Sequence, residues 1–379
     1  MKAITNGHII LKDRILEGKV LVFEEKIMDI CDNGHIPSGA GIIDAGGGYV
    51  SPGLLDLHIH GYLGEDVSDG KPQGIQKMAE GIVRNGVTGW LPTTMTVSKT
   101  EIEKAFVTAR SLREESKHWN GAVILGVNAE GPFINPEKKG AQAQEHILKP
   151  NAELILAYRD IIKLVTIAPE MDEGLNAIKT IKKHTNIVIS MGHTGADYAG
   201  ACAAIDCGVS HATHMFNAMT PLNHRDPGVV GAALNRDVTV ELIADTFHIH
   251  PELFGFLYKI KGRRLILITD CVRAGGLTDG DYTLGGQKIH VKGIECRLED
   301  GTIAGSVLTL NQAVRNMHLH TNIPLYDIIA CASLYPAQII HADDRKGSLE
   351  IGKDADIVIF GDDFQVKKTI IGGAIKYEA

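Results

Sequence analysis

Between about residues 54 and 345 the chain alternates short apolar runs with longer stretches whose apolar positions recur every three to four residues. The short runs read as strands, because a strand covered on both faces is apolar at every position rather than at alternate ones. They fall at 54–60, 87–92, 122–130, 163–168, 187–193, 209–214, 238–245 and 265–270. The longer stretches, 72–85, 99–115, 152–160, 174–184, 198–207 and 251–261, carry a helical period. Eight strands alternating with helices make a parallel sheet, and that number points to closure into a (β/α)8, TIM-like barrel. An open doubly wound sheet would place a glycine-rich dinucleotide turn after an early strand, and none is present.

The two ends of the chain have a different rhythm. Short β-type segments at 18–23, 26–30 and 48–52 are matched by others at 355–360, 367–371 and 374–377. Neither end has enough residues for a core of its own. The expectation is one small β-sandwich domain built from residues 1–53 plus 346–379, appended to a barrel of residues 54–345. Residues 275–304 interrupt the last unit with a hairpin-rich insertion (282–284, 288–291, 295–298), followed by helices from about residue 307.

Composition narrows the class. A length of 379 residues suits a large barrel with an appendage, and 44% hydrophobic with 22% charged residues describes a globular protein with a large core. The net charge of -8 offers nothing to nucleic acid or anionic membranes. No run approaches the roughly 18 apolar residues of a membrane span, and Met1-Lys2-Ala3-Ile4-Thr5-Asn6 lacks a hydrophobic leader core, so a cytoplasmic location is expected. The six cysteines form no CxxC pair and read as reduced thiols; Cys271 alone is expected near the chemistry.

That chemistry starts at Leu54-Leu55-Asp56-Leu57-His58-Ile59-His60-Gly61. Two histidines two apart on a strand share a face and can hold one divalent cation. His-x-His is too common to carry this alone, and any one histidine at a strand end has a hydrogen-bonded structural explanation. The recurrence carries it: Glu130, His193, His214 and Asp270 each close another strand, and strand C-termini of a barrel converge on one mouth. Histidines with carboxylates suit Zn²⁺ or Fe²⁺, and a glutamate can bridge two ions. His318 and His320 lie in a helical pattern, where spacing two does not share a face, and read as structural. His248 borders the mouth and can reach substrate, whereas His250 precedes Pro251 at a helix start.

The segment Pro52-Gly53-Leu54-Leu55-Asp56-Leu57-His58-Ile59-His60-Gly61 resembles the opening motif of the amidohydrolase superfamily. Ala129-Glu130-Gly131-Pro132-Phe133, Gly192-His193-Thr194, Thr213-His214-Met215-Phe216-Asn217-Ala218-Met219 and Ile268-Thr269-Asp270 are similar to those of the N-acetylglucosamine-6-phosphate deacetylase family, over essentially the whole chain. The resemblance implies hydrolysis of the acetamide of N-acetyl-D-glucosamine 6-phosphate to D-glucosamine 6-phosphate and acetate, in amino-sugar catabolism and cell-wall sugar recycling. It implies a main metal on Glu130, His193 and His214, and a second on His58 and His60 with Glu130 bridging and Asp270 nearby. Asp270 is then the general base and acid. Ala141, Asn217, Ala218, Arg225, His248 and Ile303-Ala304-Gly305 match substrate-contact positions, and a homodimer is expected with Arg225 reaching the neighbouring site. Gln142 stands where many relatives carry a histidine that polarises the acetyl carbonyl; its amide, or the metal alone, is left with that role. A cyclic amidase would bridge its metals with a carboxylated lysine at the end of the fourth strand, which residues 163–168 do not supply. A non-catalytic scaffold would tend to have lost ligands that are all retained here.

Overall fold

Every side chain of the first barrel strand, Leu54–Ile59, is buried, which explains why the run is apolar apart from Asp56 and His58. The computed structural model describes all residues, 1–379. Strand two (Val87–Pro92) lies parallel to strand one, and the strands Ile162–Ile167, Val188–Met191, His211–Ala212, Thr239–Ile243 and Leu265–Ile268 continue in parallel as numbers four to eight. The third strand is split. Val123–Ile124 pairs with strand two and Val127–Ala129 pairs with strand four. The break falls at Leu125-Gly126, where the chain passes so close to strand four that a Cβ on Gly126 would lie 2.8 Å from the Ile161 carbonyl oxygen. The cylinder closes where Ile59 bridges Cys271 in parallel and the Asp270 N–H donates to the His58 carbonyl at 2.9 Å. This is the expected closed eight-stranded (β/α)8 barrel.

Six expected helices are present as Pro72–Ile82, Lys99–Leu112, Ala152–Ala157, Asn176–His184, Tyr198–Cys207 and Glu252–Lys261. Ser98 starts the second with a reciprocal capping box to Glu101. A further helix, Gly228–Asn235, fills the crossover between strands six and seven. Six of its eight residues are buried, so it shows no polar face and no amphipathic period to find. Strand six is the largest difference from expectation. Only His211–Ala212 of residues 209–214 is extended, because the backbone then turns through positive φ at His214, Phe216 and Ala218.

Both ends of the chain form the β-sandwich. One sheet runs through Ala374–Glu378, Val366–Ile371, Ile357–Phe360, Tyr49–Pro52, His8–Ile10 and Ile15–Leu16. The facing sheet is Ile27–Asp32, Lys19–Phe23, Lys2–Thr5 and Gly41–Asp44. Ile4, Leu21, Phe23, Val50, Ile357 and Ile370 share the core between them. The shortest strands of this unit were not legible in the sequence, being only two to four residues long. The insertion is a three-stranded antiparallel sheet, Gly280–Leu284, Gln287–Lys292 and Glu295–Leu298, whose apolar face packs on Met95 and Ala141 above the barrel mouth.

Where the chain leaves the barrel for the sandwich, the Lys346 ammonium is buried against two carboxylates, 2.5 Å from Asp356 and 3.3 Å from Asp354. The other Asp356 oxygen accepts the Gly372 N–H at 2.9 Å. Removing one partner of such a pair strands the other charge, so Lys346→Met should destabilise the fold by about 3–5 kcal/mol. A urea midpoint unchanged from the parent protein would contradict this account.

Candidate active site

The first strand delivers His58 and His60, the third Glu130, the fifth His193, the sixth His214 and the eighth Asp270, all to one end of the cylinder. His58, His60 and Asp270 form one buried group with ligand atoms within 4.8 Å of one another; Glu130, His193 and His214 form a second. Glu130 joins them. Its Oε1 lies 3.0 Å from His214 Nε2, 3.4 Å from His193 Nε2 and 3.5 Å from His58 Nε2, and its Oε2 lies 3.2 Å from His60 Nε2. Asp270 Oδ1 is 3.1 Å from His60 Nε2 and 3.6 Å from His58 Nε2.

The donor set fits divalent cations on several counts. Four imidazoles turn Nε2 toward common space, with His58 and His60 nitrogens 3.2 Å apart and those of His193 and His214 also 3.2 Å apart. Nitrogens aimed at each other share at most one proton, whereas bare lone pairs suit a cation. Two of the rings are fixed in that sense: His193 Nδ1 donates to the Lys138 carbonyl at 2.8 Å and His58 Nδ1 to Glu241 Oε2 at 3.0 Å. Charge agrees with geometry. Burial opposes the ionised form of Glu130, yet the facing His58 and His193 hold it well below the usual carboxylate range. Burial likewise opposes charge on His60, but Asp270 and Glu130 push its pKa up to about 9. The buried carboxylates therefore demand positive charge at this spot, and a divalent cation supplies it with the imidazoles neutral.

Backbone strain accompanies the ligands. His193, His214 and Asp270 take positive φ values of 48°, 25° and 49°, conformations that cost non-glycine residues about 1–3 kcal/mol each and concentrate at functional sites. Gly131, next to Glu130, has φ 72° and no room for a side chain, since a Cβ would meet Thr96 Oγ1 at 2.2 Å.

A cavity of about 380 Å³ opens above these groups. Of the expected contact residues, Ala141, Gln142, Asn217, Ala218, His248, Ile303 and Gly305 line it. Ala304 is buried behind the wall in the core of the insertion sheet. Arg225 is exposed on the loop of residues 221–227 and is not brought to this cavity. His248 is oriented through Nδ1, 2.6 Å from Asp245 Oδ2. Gln142 is engaged at both ends: its oxygen accepts the Thr96 N–H at 2.6 Å and its nitrogen donates to Glu130 Oε2 at 2.7 Å. One amide hydrogen is left for the cavity.

Sequence reasoning missed Glu241 and His211, which stand behind the ligands. A glutamate inside the apolar segment Val240-Glu241-Leu242-Ile243 was the available signal, because such a residue is almost never fully buried without a partner. Cys271 is not alone near the site, since Cys296 also feels the Asp270 charge. Burial pushes the Cys296 thiol up to about 12 and the Cys271 thiol well above its ordinary value, so both stay protonated.

A family model described as "Amidohydrolase family" matches residues 49–376. The chain belongs to that family. This amidohydrolase is 42% identical over 333 residues to the N-acetylglucosamine-6-phosphate deacetylase of Bacillus subtilis (strain 168), spanning 86% of this chain and 84% of the relative. It is 36% identical over 329 residues to the N-acetylgalactosamine-6-phosphate deacetylase of Escherichia coli O157:H7, spanning 86% of each. The crystal structure of N-acetylglucosamine-6-phosphate deacetylase from Pasteurella multocida superposes over 100% of both chains with a TM-score of 0.94 at 30% identity. No helix is long and apolar enough to cross a membrane.

Because Glu130 reaches both ligand groups, Glu130→Ala should abolish zinc retention through gel filtration while the unmutated amidohydrolase keeps its metal. Metal analysis of the two proteins side by side checks this; equal zinc in both would remove Glu130 from the ligand set.

Proposed function

We propose that this amidohydrolase removes the acetyl group of N-acetyl-D-glucosamine 6-phosphate, yielding D-glucosamine 6-phosphate and acetate. The observation that carries the reading is the pair of buried three-ligand groups, one containing Asp270, joined by Glu130 at the floor of a cavity of sugar size. Glu130, His193 and His214 would hold the main ion, and His58, His60 and Asp270, with Glu130 bridging, a second. The nitrogen and oxygen donors favour zinc or iron. A bound divalent cation lowers the pKa of water toward about 7 and polarises a carbonyl oxygen.

The chain's own residues do the rest. Asp270 accepts a proton as water adds to the acetyl carbon, then delivers it to the sugar nitrogen as the C–N bond breaks, since an amine cannot leave as an anion. Burial disfavours its charge, while the facing His60 and His58 lower its pKa. With those imidazoles neutral, Asp270 would be kept ionised as the base by the positive charge of the bound cation. Gln142 holds Glu130 and keeps one N–H for the developing oxyanion. His248, Asn217, Ala218 and Ala141 position the sugar, with Ile303 and Gly305 forming its wall and Ala304 packed behind them.

The phosphate needs cations, and among charged groups lining the cavity Lys138 is the one permanent cation, beside Glu137. Arg225 of a second copy would complete the phosphate site, with its planar guanidinium suited to bidentate contact. The protein would therefore act as a homodimer, in the cytoplasm, in amino-sugar catabolism and cell-wall sugar recycling. Its units would be the barrel of residues 54–345 and the sandwich of residues 1–53 plus 346–379.

The deciding assay is acetate release from N-acetylglucosamine 6-phosphate by purified protein, before and after chelation, with the 4-epimeric galactosamine compound alongside. Release abolished by chelation and restored by zinc supports the reading; no release from the zinc-loaded protein overturns it, and faster release from the galacto epimer overturns its sugar assignment. Asp270→Asn should lower kcat by about 10²–10⁴-fold without unfolding the protein. Near-parental kcat would rule out its proton-transfer role. Arg225→Ala should raise KM for the phosphorylated sugar about tenfold or more, the worth of a lost charged hydrogen bond, and leave the unphosphorylated sugar unaffected. Equal effects on both sugars would contradict a phosphate contact.

A further inference from the structure

Glu241 lies inside the seventh strand, Thr239–Ile243, fully buried and outside the cavity lining, and the reaction described above gives it no part. Its carboxylate is nevertheless saturated with donors. Oε2 accepts from His58 Nδ1 at 3.0 Å and from the His214 backbone N–H at 2.8 Å. Oε1 faces His211 Nε2 at 3.1 Å, and the other nitrogen of that ring contacts the Thr239 hydroxyl. One carboxylate on strand seven thus grips a side chain from strand one and a backbone from strand six, and each belongs to a different ligand group. Its own carbonyl accepts the Met215 N–H at 2.9 Å, so the turn carrying His214 hangs on Glu241 at two points.

We propose that Glu241 is a positioning residue that readies both metal groups together, a reading that rests on the metal binding proposed above. A carboxylate can only accept, so it places the single hydrogen of neutral His58 on Nδ1 and leaves Nε2 bare toward Glu130, His60 and Asp270. The charged acceptor also raises the basicity of that nitrogen. At His214 the same oxygen holds a backbone of φ 25°, which an unsupported non-glycine residue would relax. A purely structural role fits poorly. Ile243, on the same face of the strand as Glu241, is apolar and buried, and a buried carboxylate costs several kcal/mol wherever it is not needed.

The test compares zinc affinity, by chelator competition, for the parent protein, Glu241→Leu and Glu241→Gln. Loss of an outer ligand partner weakens metal binding about 10–100-fold, which is the effect expected for Glu241→Leu. Glu241→Gln keeps an oxygen in the place of Oε2 and should recover most of that loss. Nitrogen-15 spectra of histidine-labelled, zinc-loaded parent protein give a second readout that needs no variant: His58 should carry hydrogen on Nδ1 only. Parental affinity in a folded Glu241→Leu, equal weakening in both variants, or a bare Nδ1 on His58 would each overturn the positioning role while leaving the metal reading intact. Failure of the parent protein to take up zinc would overturn the metal reading itself and this inference with it.

Discussion

A carboxylate buried among imidazoles organises this molecule. Glu130 is about 1% exposed and touches histidines from three different strands. An unpaired carboxylate there would cost several kcal/mol, and four rings aiming Nε2 at one another would be no better without it. Each is tolerable only because the other is present, and a divalent cation would complete both. The strained φ values at His193, His214 and Asp270 fit the same account: the backbone bends as the ligand set requires, and the rigid strands behind it absorb the cost.

The rest of the fold keeps those strand ends in register. Strand eight closes on strand one through the Asp270 N–H to His58 carbonyl bond, so two residues of one ligand group are also joined at the barrel seam. Strand one is fixed from behind as well. The strand immediately before it, Tyr49–Pro52, pairs with Ile357–Phe360 inside the sandwich, so the chain ends anchor the segment that delivers His58 and His60. The insertion sheet roofs the mouth, where Leu284 and Ile303 supply apolar wall and Gln287 ties the sheet to the Ala141 carbonyl at 2.6 Å.

Most of this was legible in the sequence for a definite reason. Strands buried on both faces leave mostly apolar runs, and the candidate ligands stand at or beside the ends of those runs, so position and chemistry were read from one signal at His58, Glu130, His193 and Asp270. Legibility failed where the structure departs from repetition. The third strand breaks at Gly126 because strand four lies too close for a side chain, and an isolated glycine does not announce that. Strand six shrinks to two residues since the following turn is shaped by hydrogen bonds to Glu241, a long-range cause. Arg225 illustrates another limit: its sequence motif names a contact position, while one chain leaves it exposed and away from the cavity.

The two ligand groups are not independent sites that happen to adjoin. Glu130 touches both from the cavity side and Glu241 touches both from the barrel interior, so each group shares two carboxylates with its neighbour. Four imidazoles and three buried acids packed this tightly have few alternative arrangements that keep their shared hydrogen bonds, and only Nδ1 of His60 and Nδ1 of His214 are left without a partner among the four rings. Displacing His58 frees an oxygen of Glu241 that also supports the His214 backbone, and displacing His214 removes a partner of Glu130 that also faces His60. Preorganisation is therefore a property of the whole cluster, and mutations in it should be coupled rather than additive, as expected for residues sharing one hydrogen-bonded network. A cluster of this kind orients its ligands before substrate arrives, which is how a rigid barrel turns distant residues into one reacting centre.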